Sequence, residues 1–561
     1  MKKLITLSLI TASSLLAQPT ITDVEKSISV PKEVEAKKPS LVEIGGKEKY
    51  APIMADDKSG KTIDVKDFSI EGNTQIKDDE LKKIISEYVG KPLTFSQLQE
   101  ATSLITKYYR EKGYFVARAY IPVQDIKSND GVVKIAIIEG NYGEFKLTNN
   151  SNVKDSIVQG MFDDAKNRGN VVSTYTLERS MLIINDTPGV MVTGADVRPG
   201  AEVGTSDFIV TTESSAPYSG YVIADNYGSK YTSTYRTMAG GSINNPFKIG
   251  DKISLSGLYG ANGNIDNYRA SYSFPILPNG LRGEIAYSDT NYKLEKKYVT
   301  NQDIKGDSKT LEASLSYPIL RTRAQSLYTT LTYSSKDMKD TNDGVQTNKK
   351  ALESFNLGLN YTKNSVLANL DTQYNASINL ISGKLNIKDA TAKAQDATGA
   401  KTNGTYEKLA LTLANTTILN PKVSLETSLT YQQALGNKNL DGSEDMSIGG
   451  SNGVRVYPDS EESAENGYIF RAESFYTLPS YQGLNHKVSL FVDTAKVKEE
   501  KDVDNEKARQ LSDIGIGYNA SYKNFFAKAH LATIIGGSKV ESEADNKQYK
   551  TKFLVQAGMV F

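Results

Sequence analysis

Two kinds of hydrophobic spacing divide the chain. Up to about residue 215, helical spacing alternates with short runs of period two. Leu81, Ile84, Ile85 and Tyr88 share one helical face, and Gly90 and Pro92 stop that helix. Thr94 with Gln97 forms a capping box for a second helix, whose face is Phe95, Leu98, Ala101, Ile105 and Tyr108 and whose end is Gly113. Ile63, Val65 and Phe68–Ile70 suggest one strand, and two more are predicted at Tyr114–Pro122 and at Val132–Glu139. The order β-α-α-β-β then recurs. Phe145 and Leu147 open a strand, Val153–Asp163 and Tyr175–Ile184 are helices, and Met191–Val197 and Asp207–Thr212 are closing strands. Repetition of one supersecondary unit is a stronger signal than either copy alone.

From about Pro217 the helical spacing disappears. Leu311, Ala313, Leu315 and Tyr317 alternate with Glu312, Ser314 and Ser316, and Val488, Leu490 and Val492 alternate with Lys487, Ser489 and Asp493. Phe553, Val555, Ala557, Met559 and Phe561 share a face at the end of the sequence. One apolar and one polar face per strand suits both a transmembrane barrel and a soluble β-sandwich. Connector lengths separate the two. Short turns are predicted at Pro246–Gly250, Ile276–Gly280, Pro318–Arg323, Lys363–Ser365, Asn420–Lys422, Leu478–Asn485 and Lys523–Asn524. Between them lie generally longer charged loops, including Leu294–Lys309, Ser335–Lys350, Gly383–Thr405 and Ala434–Asn466. A barrel alternates connectors in this way between its two rims, and a sandwich has no reason to. The count is sixteen strands, an even number that puts both barrel ends on the periplasmic side, where a preceding domain requires them. Closure leaves no sheet edge unsatisfied in lipid.

Composition changes this picture in a few places. Met1-Lys2-Lys3, an apolar run from Leu4 to Leu16 and a small residue at Ala17 have the order of a secretory signal peptide, so residues 1–17 are expected to direct export. Residues 18–60 are rich in Lys, Glu and Pro and read as a linker, with Thr22–Ser29 patterned for a short helix. Residues 61–140 and 141–215 are then the two small α+β units, and 216–561 the barrel. Lys+Arg and Asp+Glu both number 66, so no global field for nucleic acid is indicated. There are no Cys and two His, His486 and His530, which removes thiolate chemistry and leaves no metal-ligand spacing. No cofactor is implied: no G-x-x-x-x-G-K-[ST] occurs, and no nucleophile–base arrangement marks an enzyme. The 33 Tyr supply interfacial girdles, although Trp is absent. The mean hydropathy of −0.42 would suggest a soluble protein, but alternating strands average out in that index.

Several blocks carry a family resemblance. Phe68-x-Ile70-x-Gly72-Asn73-Thr74, Tyr109-Arg110-x-x-Gly113-Tyr114 and Gly131-x-Val133-x-Ile135 resemble a POTRA domain, and the second unit resembles a degenerate copy. Asp225-Asn226-Tyr227-Gly228, Asn245-Pro246-Phe247-x-x-Gly250-Asp251, Tyr272-Ser273-x-Pro275 and Tyr317-Pro318-Ile319 resemble the two-partner secretion branch of the Omp85 superfamily, the hemolysin-activator or ShlB type. The stretch Gly449-Gly450-Ser451-Asn452-Gly453-Val454-Arg455-Val456-Tyr457-Pro458 falls between strands eleven and twelve, in the sixth outer loop. The family carries a Val-Arg-Gly-Phe/Tyr tip there. Val454, Arg455 and Tyr457 match it, and Val456 departs from the frequent Gly. Terminal Phe561 resembles the signal read by the barrel assembly machinery.

The resemblance implies that this loop folds back into the lumen and that Arg455 pairs with the Asp of a Phe-x-Asp motif, here Phe491-Val492-Asp493. Parity agrees independently: Asp493 shares a face with Ser489 and Lys487, opposite Val488, Leu490 and Val492, and so points inward. A bidentate Arg455–Asp493 contact would fix the loop tip, with Gly453, Val454 and Tyr457 beside it. The implied activity is export. POTRA edges would bind an unfolded exoprotein in the periplasm by strand addition, and the barrel would pass it to the surface of a Gram-negative cell. The implied partners are that exoprotein, outer-membrane lipid and the assembly machinery, with the chain itself a monomer. The Thr22–Ser29 helix would act as a plug, as in some relatives. The alternatives are an Omp85-type factor assembling other barrels, which usually carries more POTRA copies, and a passive porin, which needs no periplasmic peptide-binding domains.

Overall fold

The computed structural model of the chain describes residues 62–561 apart from 127–128, 297–302, 460, 502–507 and 543–548. The expected signal peptide, the linker and the Thr22–Ser29 helix therefore lie outside the described residues. The chain divides into two compact units, one holding both α+β domains and the other the barrel.

In the first domain β1 (Thr62–Val65) pairs antiparallel with β3 (Lys91–Thr94). A second sheet places β2 (Asp67–Glu71) parallel to β5 (Val132–Ile138), with β4 (Arg118–Tyr120) antiparallel on the far side of β5. Helices α1 (Asp78–Ile84) and α2 (Phe95–Glu111) contribute Leu81, Leu98, Ala101, Ile105 and Tyr109 to the core, against Phe68, Val133 and Ile135. The capping box forms as expected: Gln97 N donates to Thr94 Oγ1 (3.3 Å) and Thr94 N to Gln97 Oε1 (2.9 Å). The one strand expected over Ile63–Ile70 is split between the two sheets as β1 and β2, and three boundaries differ. The first helix gives way to a 3₁₀ turn at Ser86–Tyr88. Pro92 is not merely a stop but sits in β3, in a two-stranded ladder where its missing N–H is tolerated. The strand expected from Tyr114 shrinks to three residues, because Ala117 N turns back to Tyr114 O (3.1 Å).

The POTRA-like blocks meet at one buried carboxylate. Glu139 accepts from Thr74 N (2.7 Å), Thr74 Oγ1 (2.5 Å), Gln75 N (2.9 Å) and the Tyr109 hydroxyl (2.8 Å). Burial first, and the Glu139 carboxylate second, raise the Tyr109 phenol far above its ordinary range, so it stays a donor. Gly72, at φ +87°, turns the chain there with its α-carbon so close to β5 that a Cβ would stand 2.3 Å from Ile137 O.

The second domain has the same topology. β6 (Asn141–Asn150) runs parallel to β8 (Thr205–Glu213), and β7 (Met191–Pro199) antiparallel to it. Helices α3 (Asp155–Asn167) and α4 (Thr174–Asn185) cover a core in which Phe145 stacks on Phe162 and Phe208. The two domains touch: Thr174 donates through N (2.9 Å) and Oγ1 (3.1 Å) to Gly113 O, and Val116 enters the second core.

Sixteen antiparallel strands close the barrel. The first, Tyr218–Asp225, pairs with the second, Arg236–Asn244, and with the last, Thr551–Val560. The Asp-Asn-Tyr-Gly block serves this seam. Arg236 grips Asp225 with two hydrogen bonds (2.9 and 3.2 Å), and the Asn226 side chain bonds the backbone of the last strand, donating to Phe553 O (2.9 Å) and accepting from Val555 N (2.8 Å).

Outward positions carry the lipid-facing apolar residues and inward ones are polar, as the alternation requires. Leu490 is 66% exposed, whereas Asp493 is fully buried. Five connectors differ from expectation, the first being Leu294–Lys309, which the sixth strand enters at Ile304. The seventh strand (Gln325–Asn342) and the eighth (Val345–Leu367) run on through the expected Ser335–Lys350 loop and meet at Asp343-Gly344, both at positive φ. Above the lipid both faces of these strands are polar, so the alternation signal fades while the ladder continues. At the opposite rim the eighth strand passes Lys363–Ser365 and turns at Ala368-Asn369, again both at positive φ. The sixth strand (Ile304–Arg321) runs through Pro318 with a ladder irregularity before Leu320. The ninth (Leu370–Ile387) extends past Gly383, and α5 (Ala390–Thr398) occupies the following loop, capped by Asp389.

Candidate functional site: the sixth outer loop inside the barrel

The eleventh strand ends at Leu435 and the twelfth begins at Asn466, so the loop between them spans 436–465. A two-residue ladder, Met446–Ser447 with Ser463–Ala464, gathers its base. Beyond that the tip closes on itself: Val454 N donates to Ile448 O (2.9 Å), Gly450 N to Tyr457 O (3.0 Å) and Tyr457 N to Val454 O (3.1 Å). The glycines permit this closeness. A Cβ on Gly453 would stand 2.3 Å from Ile448 O, and one on Gly450, at φ +77°, would overlap the Asp459 carboxylate.

The tip lies against the inner faces of strands twelve (Asn466–Thr477), thirteen (Asn485–Lys498), fourteen (Arg509–Tyr522) and fifteen (Phe525–Ile534). Ile448, Val454, Val456 and Tyr457 are fully buried, in one apolar cluster with Ile469, Phe491, Ala495, Leu511 and Ala532. Burying three such aliphatic side chains and a tyrosine stabilises the docked tip by several kcal/mol, at about 1.5–3 kcal/mol for each large apolar side chain. Val456 explains itself here. Its φ is not positive, so glycine is not required, and its side chain fills the cluster while its N–H donates to Asp513 (2.8 Å).

Arg455 and Asp493 are brought together, but not as a two-bond fork. Arg455 Nε approaches Asp493 Oδ2 to 3.0 Å without hydrogen-bond alignment. Its aligned bond runs from Nη2 to Glu473 Oε2 (2.7 Å), and its guanidinium stacks 3.9 Å above the Phe491 ring. One arginine is thus shared by two carboxylates on adjacent strands. Arg471 completes the group, donating to Asp493 Oδ1 (3.4 Å) and, through Nη1, to Ser451 O of the loop (3.1 Å). Ser489 Oγ donates to Glu473 Oε1 (2.6 Å). Asp513 stands directly across from Asp493 in the ladder. Two guanidinium groups and the Val456 N–H therefore face three carboxylates.

Arg471, Glu473 and Asp513 were not singled out from sequence. Their signal was available: each occupies an inward position on a strand whose alternate positions are apolar, and charge at such positions has to find a partner.

Other contacts hold the rest of the loop. On its first arm Asp441 receives both bonds of Lys350 Nζ (2.7 and 2.8 Å) from the eighth strand, and Glu444 pairs with Lys408 (2.9 Å) of the tenth strand (Gly404–Asn420). Burial alone would raise the Asp441 carboxyl, but Lys350 overrides it and holds the group below its ordinary range. On the return arm Glu461 pairs with Arg509 and accepts from Glu541 N (2.8 Å) and Ser542 Oγ (2.8 Å). The Tyr457 hydroxyl donates to Ser538 O (2.8 Å). Burial, then the nearby Glu461, push this phenol up to about 12, so it remains a donor at physiological pH.

Comparisons with known proteins bear on this arrangement. The family described as "Haemolysin secretion/activation protein ShlB/FhaC/HecB" matches residues 204–520, and "POTRA domain, ShlB-type" matches residues 63–140. The heme/hemopexin transporter protein HuxB of Haemophilus influenzae is 30% identical over 437 residues, covering 75% of this chain and 73% of that protein. The outer membrane transporter CdiB of Dickeya dadantii is 22% identical over 436 residues, covering 75% and 74%. Among solved structures, CdiB from Escherichia coli shares the fold with a TM-score of 0.73 at 20% identity, over 91% of this chain and 93% of that one. The chain accordingly belongs to the ShlB/FhaC/HecB haemolysin secretion/activation family, the two-partner secretion transporters of the Omp85 superfamily, with its barrel in the outer membrane and its POTRA domains in the periplasm.

Proposed function

We propose that this transporter exports one exoprotein in unfolded form and that the sixth loop is the internal latch of its barrel. The observation that carries this reading is the docking of the Val454–Tyr457 tip on the lumen wall, with Arg455 shared between Glu473 and Asp493. A loop bound only by solvated contacts would not bury four large side chains and five charged groups together. Arg455, Asp493, Val454, Tyr457 and Gly453 are the latch residues in this account. Glu473, Arg471 and Asp513 join them through their contacts.

The exoprotein is captured in the periplasm at the POTRA sheet edges. There β2 and β6 each have one ladder partner and can accept an added strand. No nucleotide drives the step; folding of the emerging chain outside supplies the direction. Outer-membrane lipid surrounds the barrel, the assembly machinery inserts it, and one chain forms one conduit.

The test is deletion of the gene followed by comparison of the medium and of the outer membrane. The account expects loss of one large exoprotein, restored by complementation, with outer-membrane protein levels unchanged. A general fall in outer-membrane barrels would mean that the chain assembles other proteins instead.

A further inference from the structure

The inner wall changes character away from the sixth loop. Strands twelve to fourteen carry the charged group around the tip, and on another sector Arg269 of the fourth strand (Ile265–Pro275) bonds Glu312 of the sixth (2.5 Å). Between these sectors the eighth and ninth strands turn Asn356, Asn360, Thr362, Asn375, Ser377 and Asn379 inward, while Leu357, Leu359, Ile378 and Leu380 are exposed on the outside. Over this stretch the inward residues carry no charge.

The polar groups adjoin one another along the ladder, and all but Asn375 are at most 9% exposed. In the ladder Asn360 faces Ser377 and Thr362 faces Asn375, with Thr362 Oγ1 donating to Asn375 Oδ1 (3.0 Å). Gly358 faces Asn379, and its missing side chain is covered by neighbours: a Cβ there would stand 2.5 Å from Thr330 Oγ1 and 2.9 Å from Asn379 Oδ1. Asn356 is 7% exposed, yet its Oδ1 has no hydrogen-bond partner. A buried acceptor of this kind costs free energy unless something bonds it during function.

A carboxamide carries the donor and acceptor of a peptide group. An extended chain presents its backbone groups on one face every two residues, about 7 Å, which is also the spacing of inward positions along a strand. A charged wall would hold passing side chains of opposite sign in desolvated pairs, whereas a neutral one holds none. We infer that this sector is a backbone-reading track, a binding surface for extended polypeptide that recognises peptide groups rather than side chains. The inference rests on the export reading above and names where the substrate touches the barrel.

The test uses the full chain in planar bilayers, with Arg455→Ala in every arm so that the loop is unlatched. The probe is a neutral Gly/Ser/Thr peptide of about 30 residues, long enough when extended to span the barrel. Changing Asn356, Asn360 and Asn379 together to Leu should shorten the peptide's blocking time at least about fivefold, the factor for one lost hydrogen bond. Changing the same three to Gln, which keeps the carboxamides, should leave most of the blocking time. Changing them to Asp should lengthen block by a Lys-bearing peptide and shorten it for a Glu-bearing one. Equal blocking times in the starting protein, the Leu variant and the Asp variant would overturn the track and leave the export reading standing. Block by maltohexaose but by no peptide would overturn the track as a polypeptide surface. No block by any peptide in any arm would overturn both.

Discussion

The sixth loop is anchored at its first arm and at its tip, and the two anchors use charge differently. At the first arm each lysine has its own carboxylate, Lys350 with Asp441 and Lys408 with Glu444, beside an apolar cluster that includes Leu352, Ile387, Tyr406 and Leu440. At the tip a single arginine serves two carboxylates, lies on an aromatic ring and sits beside a packed apolar cluster. When a one-to-one pair parts, one group on each side loses its partner. A shared charge cannot leave without stranding its partners in a dry site. The tip is therefore the strong anchor and the first arm the weaker one.

Removing the carboxylate shared by both arginines should break the contrast most sharply. Asp493→Ala leaves Arg455 with Glu473 alone and takes from Arg471 its carboxylate partner, and should weaken tip docking by about 3–5 kcal/mol. Protease added to intact cells should then cut within 436–465 far faster than in the parent, while heat-modifiable mobility on gels still reports a folded barrel. Lys350→Met probes the weaker anchor, with an expected loss of about 3 kcal/mol, the low end of the cost of unpairing a buried charge, from leaving the Asp441 carboxylate unpaired. Hydrogen exchange should rise at 440–445 and stay unchanged at 454–457.

Acid should sharpen the same difference. The Asp441 carboxyl is held below the ordinary carboxylate value of 3.8, so its contribution to docking is complete above that value and disappears as pH falls through the lower, docked one. The first arm should loosen in that window before the apolar tip does, by the same exchange measurement. Tyr457→Phe should have the smallest effect. It removes only the bond to Ser538 O, worth about 1 kcal/mol, and should be visible as slightly faster exchange at the tip.

How much of this was legible depends on which signal each residue leaves. The sixteen strands, the position of the sixth loop and the inward face of Asp493 follow from period-two alternation and connector length, both local in sequence. The tall outer walls of strands seven to nine were not legible, because strands above the lipid have no apolar face to alternate. The pairing of Arg455 with Asp493 came from family resemblance plus parity. Its actual form, shared with Glu473 and stacked on Phe491, depends on how the loop tip seats on the wall, and no spacing in the sequence encodes that. Lys350 and Lys408 illustrate the same limit: their partners lie 91 and 36 residues away along the chain.

The most direct test of the latch compares export by Arg455→Ala and Arg455→Lys chains at equal barrel abundance. The account predicts that alanine reduces exoprotein in the medium at least about tenfold, the factor for 1.4 kcal/mol. Lysine, which keeps the charge but cannot serve two carboxylates and stack on Phe491 at once, should give an intermediate loss. Undiminished export by the alanine chain, with the barrel folded and as abundant as the parent, would contradict it.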